Sequence, residues 1–96
     1  MFIVSLTYKK QLEEVDNHID AHTEYLTTQY KKGNFIASGR KIPRTGGIIL
    51  SNMKTREQLE AVLREDPFHK CAIAAYEITE FIPSMVGEGF EILKQQ

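Results

Sequence analysis

The chain has 96 residues, of which 42% are hydrophobic and 26% charged, with a formal net charge of -1, three histidines and one cysteine. Such a balance offers no basic face for nucleic acid or for an anionic membrane surface, and no stretch approaches the roughly 20 apolar residues of a membrane span. A lone cysteine excludes an internal disulfide and a Cys-rich zinc site. The length predicts a single domain over 1–96, small enough that association with a second copy would bury useful additional surface. The opening "MFIVSLTYKK" lacks the basic start, long apolar core and cleavage site of a secretory leader, so a cytoplasmic protein is expected.

"FIVSLTY" (2–8) alternates Phe2, Val4, Leu6 and Tyr8 against Ile3, Ser5 and Thr7, which predicts a strand. From Lys10 to Lys32 the period changes. Leu12, Val15, Ile19, His22 and Leu26 fall three and four apart as one stripe of an amphipathic helix, which Gly33-Asn34 stops. "FIASGR" and "GGIILSN" read as two strands joined by "KIPRT" into an antiparallel hairpin. Thr55 and Gln58 form a capping-box pattern that opens a second helix with Leu59, Val62 and Leu63 on its stripe, and Asp66-Pro67 ends it. "CAIAAYEITEFI" predicts a last strand, with Cys71 as a buried, inert thiol, and Pro83 begins a tail.

The order β-α-β-β-α-β predicts an α+β, ferredoxin-like arrangement, a four-stranded antiparallel sheet with two helices on one face. Both parities of the last strand carry apolar residues, as do Ile48, Ile49 and Leu50. A sheet apolar on both faces needs a second cover, and another copy packed sheet to sheet supplies it. The expected partner is therefore a second copy, in a homodimer or higher oligomer.

His22 occupies a stripe position that leucine or valine would otherwise fill, so its ring should point to the sheet and needs a polar partner there. Three readings follow: a general base, a satisfied core histidine, or a metal ligand with His18. For the last, Asp20 projects about 200° around the helix from His18 and cannot complete the same site. His18 lies at the stripe edge, where a solvated role is expected, and His69 is the remaining third-ligand candidate. No metal and no cofactor are expected. Asp66, before Pro67, is a natural N-cap and also a candidate carboxylate partner for His22. "SGRKIPRTGG" places Arg40, Lys41 and Arg44 at a turn among glycines, either as a solvated hairpin or as a holder of an anionic group.

Together, "DAHTEYL" on the first helix, "IASGR" on the second strand and "REDPF" after the second helix resemble the YciI-like (YCII-related) family over roughly residues 1–82. The resemblance implies a dimeric α/β barrel, in which two ferredoxin-like sheets pack face to face, and a His-Asp active site that maps onto His22 and Asp66. The family often carries Gly-Pro after the second strand's serine, whereas this chain reads Ser38-Gly39-Arg40, which alters the pocket rim. Related dimeric barrels include isomerases, monooxygenases and a dehydrochlorinase, generally without a tightly bound cofactor.

The expectation is thus a small-molecule enzyme of isomerase, lyase or dehydrochlorinase type. In it His22, oriented by Asp66, moves a proton on a compact aromatic or carboxylate-bearing substrate, with Ser38, Gly39 and Arg40 binding it. Two alternatives stand beside it: a non-catalytic metabolite-binding or regulatory module using the same cleft, and a purely structural His-Asp pair. The tail, 82–96, is a candidate to pack on the partner subunit.

Overall fold

The computed structural model describes residues 1–94. In chain order it runs β1 (Phe2–Tyr8), α1 (Leu12–Asp16), α2 (Ile19–Lys31), β2 (Phe35–Arg40), β3 (Gly46–Ser51), α3 (Arg56–Leu63), α4 (Pro67–Lys70) and β4 (Ala74–Glu80), with a 3-10 turn at Glu91–Leu93. The strands lie in the order β2-β3-β1-β4 and every neighbouring pair is antiparallel. This is the ferredoxin-like sheet that the element order predicts.

Alternation on β1 decides which face is inside. Phe2, Val4 and Leu6 are buried, and the register places Val4 opposite Ile49 and Ile78, and Leu6 opposite Gly47 and Tyr76. These side chains meet Val15, Tyr25, Leu59, Leu63 and Phe68 from the helices to form the core. The other face carries Ile3, Ile48 and Leu50, half-buried, beside Ser5 and Thr7 of β1 and the exposed Ala75, Glu77 and Thr79 of β4. The apolar patch there is therefore narrower than the sequence reading implies, because β4 begins only at Ala74 and Ile73 never joins the outer face.

The single helix expected over Lys10–Lys32 is two helices. His18 has φ -113° and ψ 0°, outside helical values, and the His18 N–H bonds the Val15 carbonyl at the closer i−3 spacing. Asp16, Asn17 and His18 are short polar residues that compete for backbone groups and favour helix ends over interiors. Nδ1 of His18 donates to the Glu14 carbonyl at 3.0 Å, satisfying an acceptor that the end of α1 leaves open. Leu12, assigned to the stripe, is 44% exposed, whereas Tyr25 and Gln29 of α2 are buried beside His22. Gln29 accepts from the Asn34 side chain, so its burial leaves Oε1 satisfied.

Cys71 is exposed, not buried, because it caps α4 where the chain turns through the left-handed Ala72 (φ 55°) before β4. The Thr55 hydroxyl caps α3 by accepting from the Gln58 N–H at 3.2 Å. In the tail, Pro83 is buried, while Met85 and Ile92 are about nine-tenths exposed at 89% and 92%. Residues 95–96 of the expected tail lie outside the described residues. Among the described residues no helix is long and apolar enough to cross a membrane.

Candidate functional site

The second turn of α2 brings His22 over the sheet, and α4 brings Asp66 to meet it. Nδ1 of His22 donates to Oδ1 of Asp66 at 2.8 Å, across 44 positions of sequence. Asp66 is wholly buried, and its carboxylate accepts two further hydrogen bonds. The Phe68 N–H reaches Oδ1 at 2.9 Å and the Tyr76 hydroxyl reaches Oδ2 at 2.6 Å. Asp66 therefore caps α4 and holds His22 with the same oxygen, leaving the second oxygen for Tyr76. Pro67 at the first helical position makes this local shape from sequence: it has no N–H to place, so the capping oxygen bonds the next one.

Phe68 fixes the imidazole plane. Its ring lies parallel to that of His22, with centroids 4.0 Å apart and an interplanar angle of 1°. Tyr25 stacks further off at 6.4 Å, and its hydroxyl donates to the Val62 carbonyl, tying α2 to α3. Burial, with the neighbouring Asp66 charge and hydrogen bond adding to it, pushes the Tyr76 phenol far above its ordinary pKa of 10.0. Tyr25 is pushed the same way by burial, then by Asp66 and Glu65.

His22 also lines a cleft of about 180 Å³ between α2, β2, β3 and the start of α4. No buried side-chain N or O atom among the described residues lacks a partner, and Nε2 of His22 makes no hydrogen bond among them. Nε2 is thus the ring nitrogen open to the cleft, and the bond through Nδ1 leaves its lone pair free. Ser38, Gly39 and Arg40 line the same cleft, together with Leu6, Tyr8 and Thr23. The structure brings all five expected site residues to one place, four on the cleft and Asp66 behind His22.

Ser38 pairs with the Tyr30 hydroxyl at 2.6 Å and makes no hydrogen bond to His22, so the residues do not assemble a Ser-His-Asp nucleophile. Arg44 is engaged by Asp16 and sits 6.0 Å over the Tyr8 ring, and the hydrogen bond to Asp16 raises its pKa further. Arg40 has no carboxylate partner among the described residues. His18 points to the Glu14 carbonyl, and His69 packs edge-on to Tyr76 at 5.3 Å, so neither joins the cleft. Among the described residues no three His, Cys, Asp or Glu side chains converge as a metal site.

Phe68 and Tyr76 escaped the sequence reading. Tyr76 carried a usable signal: it shares its strand face with Ala74 and Ile78, and an inward tyrosine needs a partner for its hydroxyl. Phe68 adjoins the Asp66-Pro67 pair, but nothing in its identity distinguishes a ring that packs in the core from one that orients an imidazole.

The sequence model of the YCII-related domain matches residues 1–82. The chain belongs to the YCII-related family. That family assignment spans every strand and helix from β1 to β4 and stops as the tail begins. No curated protein is significantly similar to this family member. Among solved structures, it is similar to the 5-chloro-2-hydroxyhydroquinone dehydrochlorinase of Burkholderia phenoliruptrix AC1100 in complex with 2,5-dihydroxybenzoquinone. The TM-score is 0.69 at 16% identity, over 84% of this chain and 93% of that one. At that identity, the two share a fold.

Proposed function

We propose that this YCII-related chain is a small-molecule enzyme in which His22 moves a proton on a compact substrate held in the cleft, by an isomerisation or elimination. The observation that carries the reading is the division of labour on one imidazole. Nδ1 is held by a buried carboxylate, and Nε2 faces a cavity. As base, Nε2 takes a substrate proton and becomes imidazolium beside the Asp66 carboxylate, while the electron pair stays on the substrate. As acid it returns that proton to another substrate atom, or keeps it while a leaving group departs as an anion.

Arg40 and the Ser38 hydroxyl are the binding groups of the proposal, with Gly39 allowing close approach between them. A cation without a carboxylate partner suits a substrate carboxylate or a developing oxyanion. The cavity, at about 180 Å³, is below the ~300–1,000 Å³ of sites for drug-sized ligands, which fits a substrate near the size of one substituted ring. A dehydrochlorinase with a dihydroxybenzoquinone bound uses this fold, which supports a planar, oxygenated ring as the substrate class. The reaction needs only proton transfer and charge stabilisation, which His22 and Arg40 supply.

The half-buried Ile3, Ile48 and Leu50 on the helix-free face support a homodimer packed sheet to sheet, and the exposed Met85 and Ile92 support a tail that packs against the partner. The test of the function compares metabolite extracts by mass spectrometry before and after incubation with the protein. A product formed by the native chain and lost with His22→Gln is the expected result. Retention of a compound without conversion would instead make the cleft that of a binding or regulatory module.

A further inference from the structure

Asp66 accepts three hydrogen bonds, of which only the one from His22 bears directly on the proton-transferring ring. The shortest of the three comes from Tyr76, whose hydroxyl lies 2.6 Å from Oδ2. Tyr76 stands on β4 opposite Leu6, on the helix-facing side of the sheet, and it does not touch the His22 cleft. Its ring borders a separate surface cleft with Arg56, Arg64 and His69. The hydroxyl thus meets the carboxylate oxygen that the imidazole does not use.

The two carboxylate oxygens share one negative charge. A donor on Oδ2 draws that charge towards itself and lowers the pull of Oδ1 on the His22 proton. We propose that Tyr76 is a positioning residue for His22: its hydroxyl, bound to Oδ2 of Asp66, sets how tightly Oδ1 holds the Nδ1 proton and therefore how basic Nε2 is in the cleft. The inference rests on the reading of His22 as the proton-transfer group. Tyr76 itself keeps its proton throughout. Its buried phenol, beside a carboxylate, resists ionisation, so it is a constant donor over the pH range in which an enzyme works. The Phe68 N–H is a fixed backbone donor, whereas the Tyr76 hydroxyl is the donor whose strength a side-chain change can tune in both directions.

The test is proton and nitrogen NMR of the histidine rings in the full chain, at a pH where the nitrogen shifts show His22 neutral. Tyr76→Phe removes the donor and keeps the ring, so the Nδ1–H resonance of His22 should move downfield as Oδ1 pulls harder. Site-specific incorporation of a fluorinated tyrosine at position 76 supplies a more acidic phenol of nearly the same shape. It should move the same resonance upfield, and it keeps the test available if Tyr76→Phe folds poorly. A resonance that stays put in both proteins, or moves the same way in both, overturns the proposal. Neither readout involves turnover, so the two ideas fail separately. A resonance that responds as stated in a protein that converts nothing sinks the proton-transfer reading and leaves the relay. An unresponsive resonance beside His22-dependent turnover sinks the relay alone.

Discussion

Replacing Asp66 by alanine removes a carboxylate with no solvent exposure and strands three donors at once: the Phe68 N–H, the His22 Nδ1–H and the Tyr76 hydroxyl. The Phe68 N–H is enclosed and bears the full penalty of an unmade buried hydrogen bond, about 1–3 kcal/mol. His22 and Tyr76 are side chains that border clefts, so small rotations can bring their freed groups to water and soften their shares. The sum is about 3–5 kcal/mol, a large part of the roughly 5–14 kcal/mol expected for a chain of this length. Asp66→Asn should cost less, about 1–2 kcal/mol. Its oxygen can keep the Phe68 and His22 donors while its amide turns to the Tyr76 oxygen, which can also accept. The assay is urea unfolding followed by circular dichroism, at one fixed protein concentration because association would contribute to stability. On heating, the alanine variant should melt at least roughly 12 °C lower. A loss under about 1 kcal/mol for Asp66→Ala, or an asparagine variant as damaged as the alanine one, would refute the reasoning that a saturated carboxylate organises this corner of the fold.

Gly46→Ala should cost about 3 kcal/mol or more, since a Cβ there would fall 1.7 Å from the Leu6 carbonyl oxygen and force β1 from β3 at the cleft wall; amide hydrogen exchange along β1 reads the separation. Stability should fall as pH rises above about 10: Tyr25 and Tyr76 have raised folded-state values, so the unfolded chain releases their protons first, and the stability they contribute below that pH is progressively lost. Tyrosinate absorbance from these two rings should appear only with unfolding, and its appearance in a chain that keeps its circular dichroism would contradict their burial. Thr55→Ala should cost about 1 kcal/mol through the lost α3 cap, measured by the same urea series.

The fold was largely legible because β1 shows period two, the two expected helix stripes show period three to four, and turn residues separate the elements. What failed was local competition. Asp16, Asn17 and His18 broke a helix whose apolar spacing runs on without interruption, and the left-handed Ala72 delayed β4 past Ile73. For the site, His22 stood out because an imidazole replaced an aliphatic residue on a stripe. Asp66 was legible as a cap, but its contact with His22 spans 44 positions and no periodicity encodes it. Tyr76 and Phe68 look like core residues in sequence; only the meeting of α2, α4 and β4 gives one a carboxylate and the other an imidazole to touch.

The proposed chemistry depends on where the proton of His22 resides, and nitrogen NMR of the uniformly labelled chain measures it directly. The neutral ring should carry its proton on Nδ1, with Nε2 showing the shift of a bare nitrogen, and Asp66→Ala should abolish that fixed tautomer. A native chain whose His22 carries its proton on Nε2, or whose tautomer ignores the loss of Asp66, would contradict the claim that Asp66 readies His22 to take a proton from the cleft.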